Sequence, residues 1–265
     1  MQTLLLDVKY ALRMLRKQPG FTALALLTLA LGIGATTAIF SVLYAVLLQP
    51  LPYRDADRVI RVFATSGNGR ESGASRLDFD DWRAQSRSFS VLAAYRGESA
   101  DILGGSEPER VVGLQVGSGF FEAFGVQPIA GRTFDADREA TSGTPPAIIS
   151  EGLWKSHFGG SSDAIGRVVR IAGSPHVIVG VMPASFEYPW KQDLYLPLVR
   201  GERDLSRSAR NYHVVGRLND GATIESATAE LRTIAARLAQ AYPDTNGGMS
   251  VTLRTLRDDL TAAVR

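Results

Sequence analysis

FTALALLTLALGIGATTAIFSVLYAVLL, residues 21–48, is a run of 28 residues without a charge. At ~1.5 Å rise per residue it makes a helix roughly 42 Å long, against a hydrocarbon core of about 30 Å. Such a helix crosses a bilayer with tilt, or with its ends among the headgroups. A buried core helix of a soluble protein seldom runs this far without one charge. A cleavable signal peptide has an apolar stretch of roughly 7–15 residues that closes on a small-x-small site. This run is longer and ends Leu47-Leu48-Gln49-Pro50, which offers no such site. It reads as a retained transmembrane helix, and the polar, strand-rich sequence after it as a domain outside the lipid.

The flanks agree with a membrane position. Leu5, Val8, Leu12 and Leu15 recur at spacings of three and four, while Lys9, Arg13 and Arg16 follow the same spacing on another face. With Lys17 they give residues 1–20 the pattern of a basic amphipathic helix. It lies in the interface or is an ordinary soluble helix, and adjacency to the span favours the first. Pro19-Gly20 predicts a turn into the membrane. Lys9, Arg13, Arg16 and Lys17 on one side, with only Asp7 against them, outnumber Arg54, Arg58 and Arg61 on the other, which predicts a cytoplasmic N-terminus. Within the span, Thr28, Gly32 and Thr36 make a small-residue face on which another helix can pack closely. Small residues are common in any membrane helix, so the spacing alone leaves that role open.

The formal net charge of +2 comes from the juxtamembrane segment. Setting aside those four basic residues and Asp7 leaves 25 basic and 26 acidic residues. No nucleic-acid footprint is present. There is no cysteine, which excludes a disulfide framework, a thiol nucleophile and thiolate metal sites.

From Pro50 onward, strand and helix signals alternate. Strands are predicted at 58–64, 91–103, 109–116, 147–149, 193–197, 211–218 and 250–256. A hairpin of 168–172 and 176–181 turns at Gly173-Ser174. Residues 128–134 read as an irregular stretch turning at Gly131. Ser75 is the expected N-cap of a helix through Asp78, Asp81 and Trp82. Short helices are expected at 119–125 and 151–158. Thr223 is the expected cap of the longest soluble helix, with Ile224, Ala227, Leu231, Ile234 and Leu238 along one face and Pro243 as its stop. The fold class is α+β, with one N-terminal transmembrane helix and a mixed or antiparallel sheet in the domain that follows.

These stretches carry a resemblance. AIISEGLWKSHFGG (147–160), AIGRVVRIAG (164–173), VIVGVMPASF (177–186), DLYLPL (193–198) and YHVVGRLNDGATIESATAELRTIAARLAQAYP (212–243) look like the periplasmic core domain of MacB-like ABC transporter permeases. Arg132-Thr133-Phe134 and the opening GFTALALLTLALGIGATTAIFSVLYAVLLQPLPY (20–53) fit the same pattern, closest to the acidobacterial duplicated orphan permeases. The resemblance implies a cytoplasmic basic helix (1–20), a transmembrane helix (21–48), a periplasmic core domain (49–257) and an approach to a further span (258–265). It also implies the bacterial inner membrane, a separate ABC ATPase subunit, and further permease helices packed against the first. The chain ends where the next span is expected, so it resembles the N-terminal portion of such a permease. The alternative is a single-span anchored module that binds a periplasmic partner without transport.

No catalytic constellation emerges. His157, His176 and His213 lie in separate elements without metal-site spacing, and each reads as a structural or surface residue. Gly-x-Ser-x-Gly is missing beside Ser150-Glu151, and no GxxxxGK[ST] occurs. Asp78, Asp80 and Asp81 read as a solvated helix start. Asp135, Asp137 and Glu139 lack the glycine and terminal Glu of a calcium loop. No enzyme activity, metal or cofactor is expected. Trp154 with Phe158, and Phe120 with Phe121 and Phe124, read as core at helical spacing. Phe186, Tyr188 and Trp190, in Phe186-Glu187-Tyr188-Pro189-Trp190, are the candidate exposed loop for touching a partner protein.

Overall fold

The computed structural model describes residues 13–43, 51–103, 109–141 and 143–262. The chain forms two compact units, Met1–Pro50 and Leu51–Arg265.

In the first unit, residues 13–17 are helical, Gln18 breaks the helix, and α1 (Pro19–Leu43) follows. The turn expected at Pro19-Gly20 therefore falls one residue earlier. Proline suits the first helical position, where its missing N–H has no intrahelical partner to lose and its fixed φ is already helical. Thr22 Oγ1 bridges the break, donating to the carbonyls of Leu15 at 2.7 Å and Gln18 at 3.0 Å. The expected span is helical through Leu43; residues 44–50 lie outside the described residues, as do Asp7 and Lys9. Pro19–Ser41 is long and apolar enough to cross a membrane, and none of it is buried within the chain.

The second unit is built on two interleaved split βαβ units. β1 (Val59–Thr65), α2 (Arg76–Gln85) and β3 (Phe89–Leu103) make one; β10 (His213–Leu218), α6 (Ile224–Ala241) and β11 (Ser250–Thr255) make the other. Their strands lie in the order β11-β1-β10-β3 with every neighbouring pair antiparallel. Each unit thus holds a strand of the other between its own two, the arrangement of a ferredoxin-like sheet. The short β2 (Glu71–Ser72) pairs with β1.

The chain between β3 and β10 extends the same sheet. β4 (Glu109–Val116) joins β3, and β9 (Leu194–Pro197), β6 (Pro146–Ser150), β8 (Ser174–Met182) and β5 (Ala130–Gly131) follow in that order. β7 (Val168–Ile171) pairs with β3 and β8. The β4–β9 and β6–β8 pairs are parallel, so the sheet is mixed. β5 was legible only as a turn. Gly131 sits there at φ 74°, where an added Cβ would stand 2.1 Å from the carbonyl oxygen of Val179, so only glycine fits.

Alternation along the strands sorts the side chains into layers. Ile60, Val62 and Ala64 of β1, with Val214 of β10, face α2 and α6. The expected stripe of α6 packs there: Ala227, Leu231, Ile234 and Leu238 are buried. The Thr223 hydroxyl accepts from the N–H of Ser226 and caps this helix. Pro243 ends it and opens α7 (Pro243–Asn246). The opposite face of the sheet, through Val59, Ala93, Tyr95 and Val215, packs on an aromatic block supplied by α3 (Phe120–Phe124) and the loop after β8. A third core lies within the insertion, under α5 (Glu151–Phe158). The short α4 (Ala136–Glu139) was not legible in the sequence. Beyond β11, where an approach to another span was expected, the described residues form α8 (Leu256–Ala262), seated on the domain through the fully buried Leu256.

Candidate functional site at the meeting of the arriving chain and the last helix

β1 places one charged side chain where an apolar residue would be expected. Arg61 is 7% exposed, on the face of the sheet opposite α2 and α6. Its Nη1 donates to the hydroxyls of Tyr95 at 2.5 Å and Tyr188 at 2.9 Å, and lies 3.5 Å from Asp259 Oδ2 of α8. Its Nη2 is 3.4 Å from His213 Nδ1. The two tyrosine hydroxyls are 3.0 Å apart, and the guanidinium also lies over the Phe63 ring at 4.8 Å. β1, β3, β10, α8 and the loop after β8 all contribute to this one group.

The electrostatics make it a fixed junction. Burial disfavours the Arg61 charge, but Tyr95, Tyr188 and Asp259 more than offset it and hold the pKa above the ordinary arginine value. Burial pushes the Tyr95 and Tyr188 phenols up. Partial burial and the nearby Arg61 lower the His213 pKa. The arginine is always charged, and burial holds the two phenols in their neutral form.

Tyr95 and Tyr188 are also the edge of the aromatic block. The Tyr188 ring is 4.6 Å from Phe124, and Tyr95 is 5.3 Å from Phe120. Leu51 and Tyr53 dock on the same block. Tyr53 meets Phe124 at 5.2 Å and Phe186 at 5.9 Å, with its phenol pushed up to about 12 by burial. Arg217 of β10 donates to the carbonyls of Ala123 at 2.9 Å and Arg54 at 2.6 Å, tying the arriving chain to α3. Arg58 donates to the carbonyl of Leu218. The segment 51–58 and α8 therefore rest on one continuous packed body.

Two readings of the sequence are corrected here. Phe186 and Tyr188 do not form an exposed loop; they are 4% and 1% exposed and belong to the aromatic block. Pairing large rings with one another buries more apolar surface than a solvated loop allows. Trp190 alone of the three is exposed, at 61%. Asp78 is not part of a solvated helix start. It is 1% exposed and accepts from Arg207 at 2.7 Å, Arg210 at 2.8 Å and Asn246 at 2.9 Å, fastening the chain before β10 to α2 and α7. A buried carboxylate persists only with such partners. Asp81 shares Arg207, and Asp80 pairs with Arg76.

The remaining candidates stay apart from the junction. Thr28 and Thr36 return their hydroxyls to the carbonyls of Leu24 and Gly32 within α1, and an added Cβ at Gly32 would meet nothing within 4 Å. Arg13, Arg16 and Lys17 are exposed. His157 contacts Glu109 at 3.2 Å, and His176 the carbonyl of Ser174 at 3.0 Å. Asp137, Glu139 and Asp135 pair with Arg83, Arg132 and Arg138. Among the described residues, no cluster of three or more His, Asp or Glu side chains is placed to hold a metal. The Arg61 junction was missed because its members are separated by up to 198 positions; the available signal was a lone arginine inside the apolar strand VIRVFAT.

Residues 22–234 match the family model of the MacB-like periplasmic core domain. The chain belongs to that family. No curated protein matches it. Among solved structures, the domain of a putative permease from Porphyromonas gingivalis aligns at 19% identity with TM-score 0.60, covering 77% of this chain and 92% of that one. The extracellular domain of the noncanonic ABC-type transporter YknZ from Gram-positive bacteria aligns at 19% identity with TM-score 0.54, covering 73% and 99%. The periplasmic region of MacB from Actinobacillus actinomycetemcomitans aligns at 14% identity with TM-score 0.57, covering 79% and 93%. At these identities the likeness is one of fold. The MacB-like core domain thus follows a helix able to span a membrane, and the family match itself begins within α1.

Proposed function

We propose that this MacB-like chain is the membrane component, or the N-terminal portion of one, of an ABC transporter permease in the bacterial inner membrane. Its N-terminus is cytoplasmic, its core domain periplasmic, and ATP hydrolysis by a separate subunit is coupled to that domain. The observation that carries the reading is the shared seat of segment 51–58 and α8 on one aromatic body locked by Arg61. A displacement of the first membrane helix reaches the domain through segment 51–58, and a rigid block passes it on to α8 without loss in loose packing. The small-residue face at Thr28, Gly32 and Thr36 is where further permease helices pack, and Trp190 remains a candidate contact for a periplasmic partner. Nothing in the junction supports catalysis, and the chemistry belongs to the ATPase.

Purification from native membranes tests this. The expected result is co-purification with a P-loop ATPase whose ATP turnover changes when Asp259 is replaced by alanine. A complex free of ATPase, with partner binding fully retained by residues 51–262 alone, would favour the anchored binding module instead.

A further inference from the structure

The Arg61 junction contains one side chain that changes charge near physiological pH. His213 Nδ1 lies 3.4 Å from Arg61 Nη2. Arginine carries donors only, so this contact needs Nδ1 as the acceptor and the imidazole neutral, with its proton on Nε2. The ring packs against Tyr95 at 5.2 Å. His213 is exposed, whereas Arg61, Tyr95 and Tyr188 are buried, so solvent protons reach the cluster through this one residue.

The groups around His213 leave no charge to balance a second cation. β1 brings Arg61, whose buried Nε already has no partner among the described residues. β3 and the loop after β8 bring Tyr95 and Tyr188, held neutral by burial. α8 brings Asp259, 3.5 Å from Arg61, and Asp258, which accepts from the Thr255 hydroxyl at 2.7 Å. β11 brings Arg254, which pairs with Glu71. While His213 is neutral, Arg61 and Asp259 balance each other. Once it is protonated, a positive charge is left over. Partial burial disfavours that imidazolium, and Arg61 repels it more than Asp259 attracts it.

We propose that the junction is an acid-operated latch: protonation of His213 opens it and frees α8 from β1 while the rest of the domain stays folded. α8 is the part that yields, because it is seven residues long and holds the cluster through one carboxylate, whereas β1, β3 and β10 are bound into the sheet. Short, lightly held elements open at low free-energy cost. With α8 open, water solvates the imidazolium, and His213 takes up a proton as an ordinary histidine does, near pH 6.5. The closed form binds that proton less well. The latch is therefore fully closed above about pH 6.5 and opens progressively as pH falls below it. The proposal rests on the junction geometry and not on the transport reading, and holds equally for an anchored binding module.

Hydrogen exchange of the full chain in phosphatidylcholine nanodiscs tests it, at pH 7.5 and pH 5, with rates corrected for the intrinsic pH dependence of amide exchange. Both values lie above the ordinary carboxylate range of about 3.9–4.3. Protection of the α8 amides is expected to fall several-fold at pH 5, with α6 and β11 unchanged. His213→Gln, which takes up no proton, is expected to protect α8 equally at both values. A double variant, His157→Gln with His176→Gln, removes the other two histidines and is expected to keep the loss. Equal protection of α8 at both values in the parent chain would overturn the proposal, as would a loss that survives in His213→Gln or vanishes in the double variant. A loss spread equally through α6 and β11 would overturn it too, because acid would then be unfolding the whole domain.

Discussion

The guanidinium of Arg61 and the hydroxyl of Tyr188 meet at 2.9 Å although 127 positions separate them. The contact joins β1, entered soon after the apolar helix, to the loop whose rings hold Tyr53 and α3. Tyr188 therefore has two functions at once, a ring in the aromatic block and an oxygen on a buried charge.

Separate substitutions divide these functions. Tyr188→Phe keeps the ring and removes the acceptor, and is expected to destabilise the domain by about 1–2 kcal/mol. Tyr188→Ala also opens a cavity and is expected to cost about 3–5 kcal/mol. Urea denaturation of the two variants measures the difference. Equal losses would mean that the ring adds nothing beyond the hydroxyl, and an unchanged Tyr188→Phe would mean that the hydroxyl contributes nothing.

Asp78 holds the chain before β10 in place through Arg207 and Arg210. Asp78→Ala leaves the largely buried Arg210 without its carboxylate and Arg207 with Asp81 alone, and is expected to cost about 3–5 kcal/mol. Arg207→Ala leaves Arg210 and Asn246 on Asp78 and is expected to cost less. Thermal denaturation ranks the two, and the reverse order would contradict this assignment.

Glu230 of α6 supplies a pH dependence. Burial disfavours its charge, but hydrogen bonds from Ser88, Ser86 and the N–H of Arg87 more than offset it and lower its pKa. The folded state thus favours the ionised form. Its contribution is fully present above the unfolded carboxylate pKa of about 4.3 and is lost as pH falls through the lower folded value. Stability measured from pH 7 to pH 3 is expected to fall less steeply at the acid end in Glu230→Gln than in the parent chain.

Thr223 caps the longest helix of the domain. Thr223→Ala is expected to cost about 1 kcal/mol, and Thr223→Ser to leave stability nearly unchanged. Denaturation midpoints check both, and a large loss in the serine variant would show that the methyl group, rather than the cap, matters.

Much of this architecture is legible in the chain because it is locally determined. Ser75, Ser150 and Thr223 each stand before an apolar period and each caps the helix that follows. The hairpin of β7 and β8 is legible too, although its turn is Ala172-Gly173, one residue before the expected Gly173-Ser174. The apolar run is legible by its length as a helix able to cross a membrane. What stayed hidden depends on pairing at long range. Asp78 looks like any acidic residue in a first helical turn until Arg207, Arg210 and Asn246 close over it. Phe186 and Tyr188 look like loop aromatics beside a proline until Tyr53, Phe124 and Tyr195 surround them.

We infer that Arg61 joins segment 51–58 and α8 into one mechanical body. Hydrogen exchange of the full chain, comparing the parent with Asp259→Ala, tests it most directly. Amides of α8 and of residues 53–61 are expected to lose protection together, while α6 and β11 keep theirs. Loss confined to α8, with residues 53–61 unchanged, would contradict it.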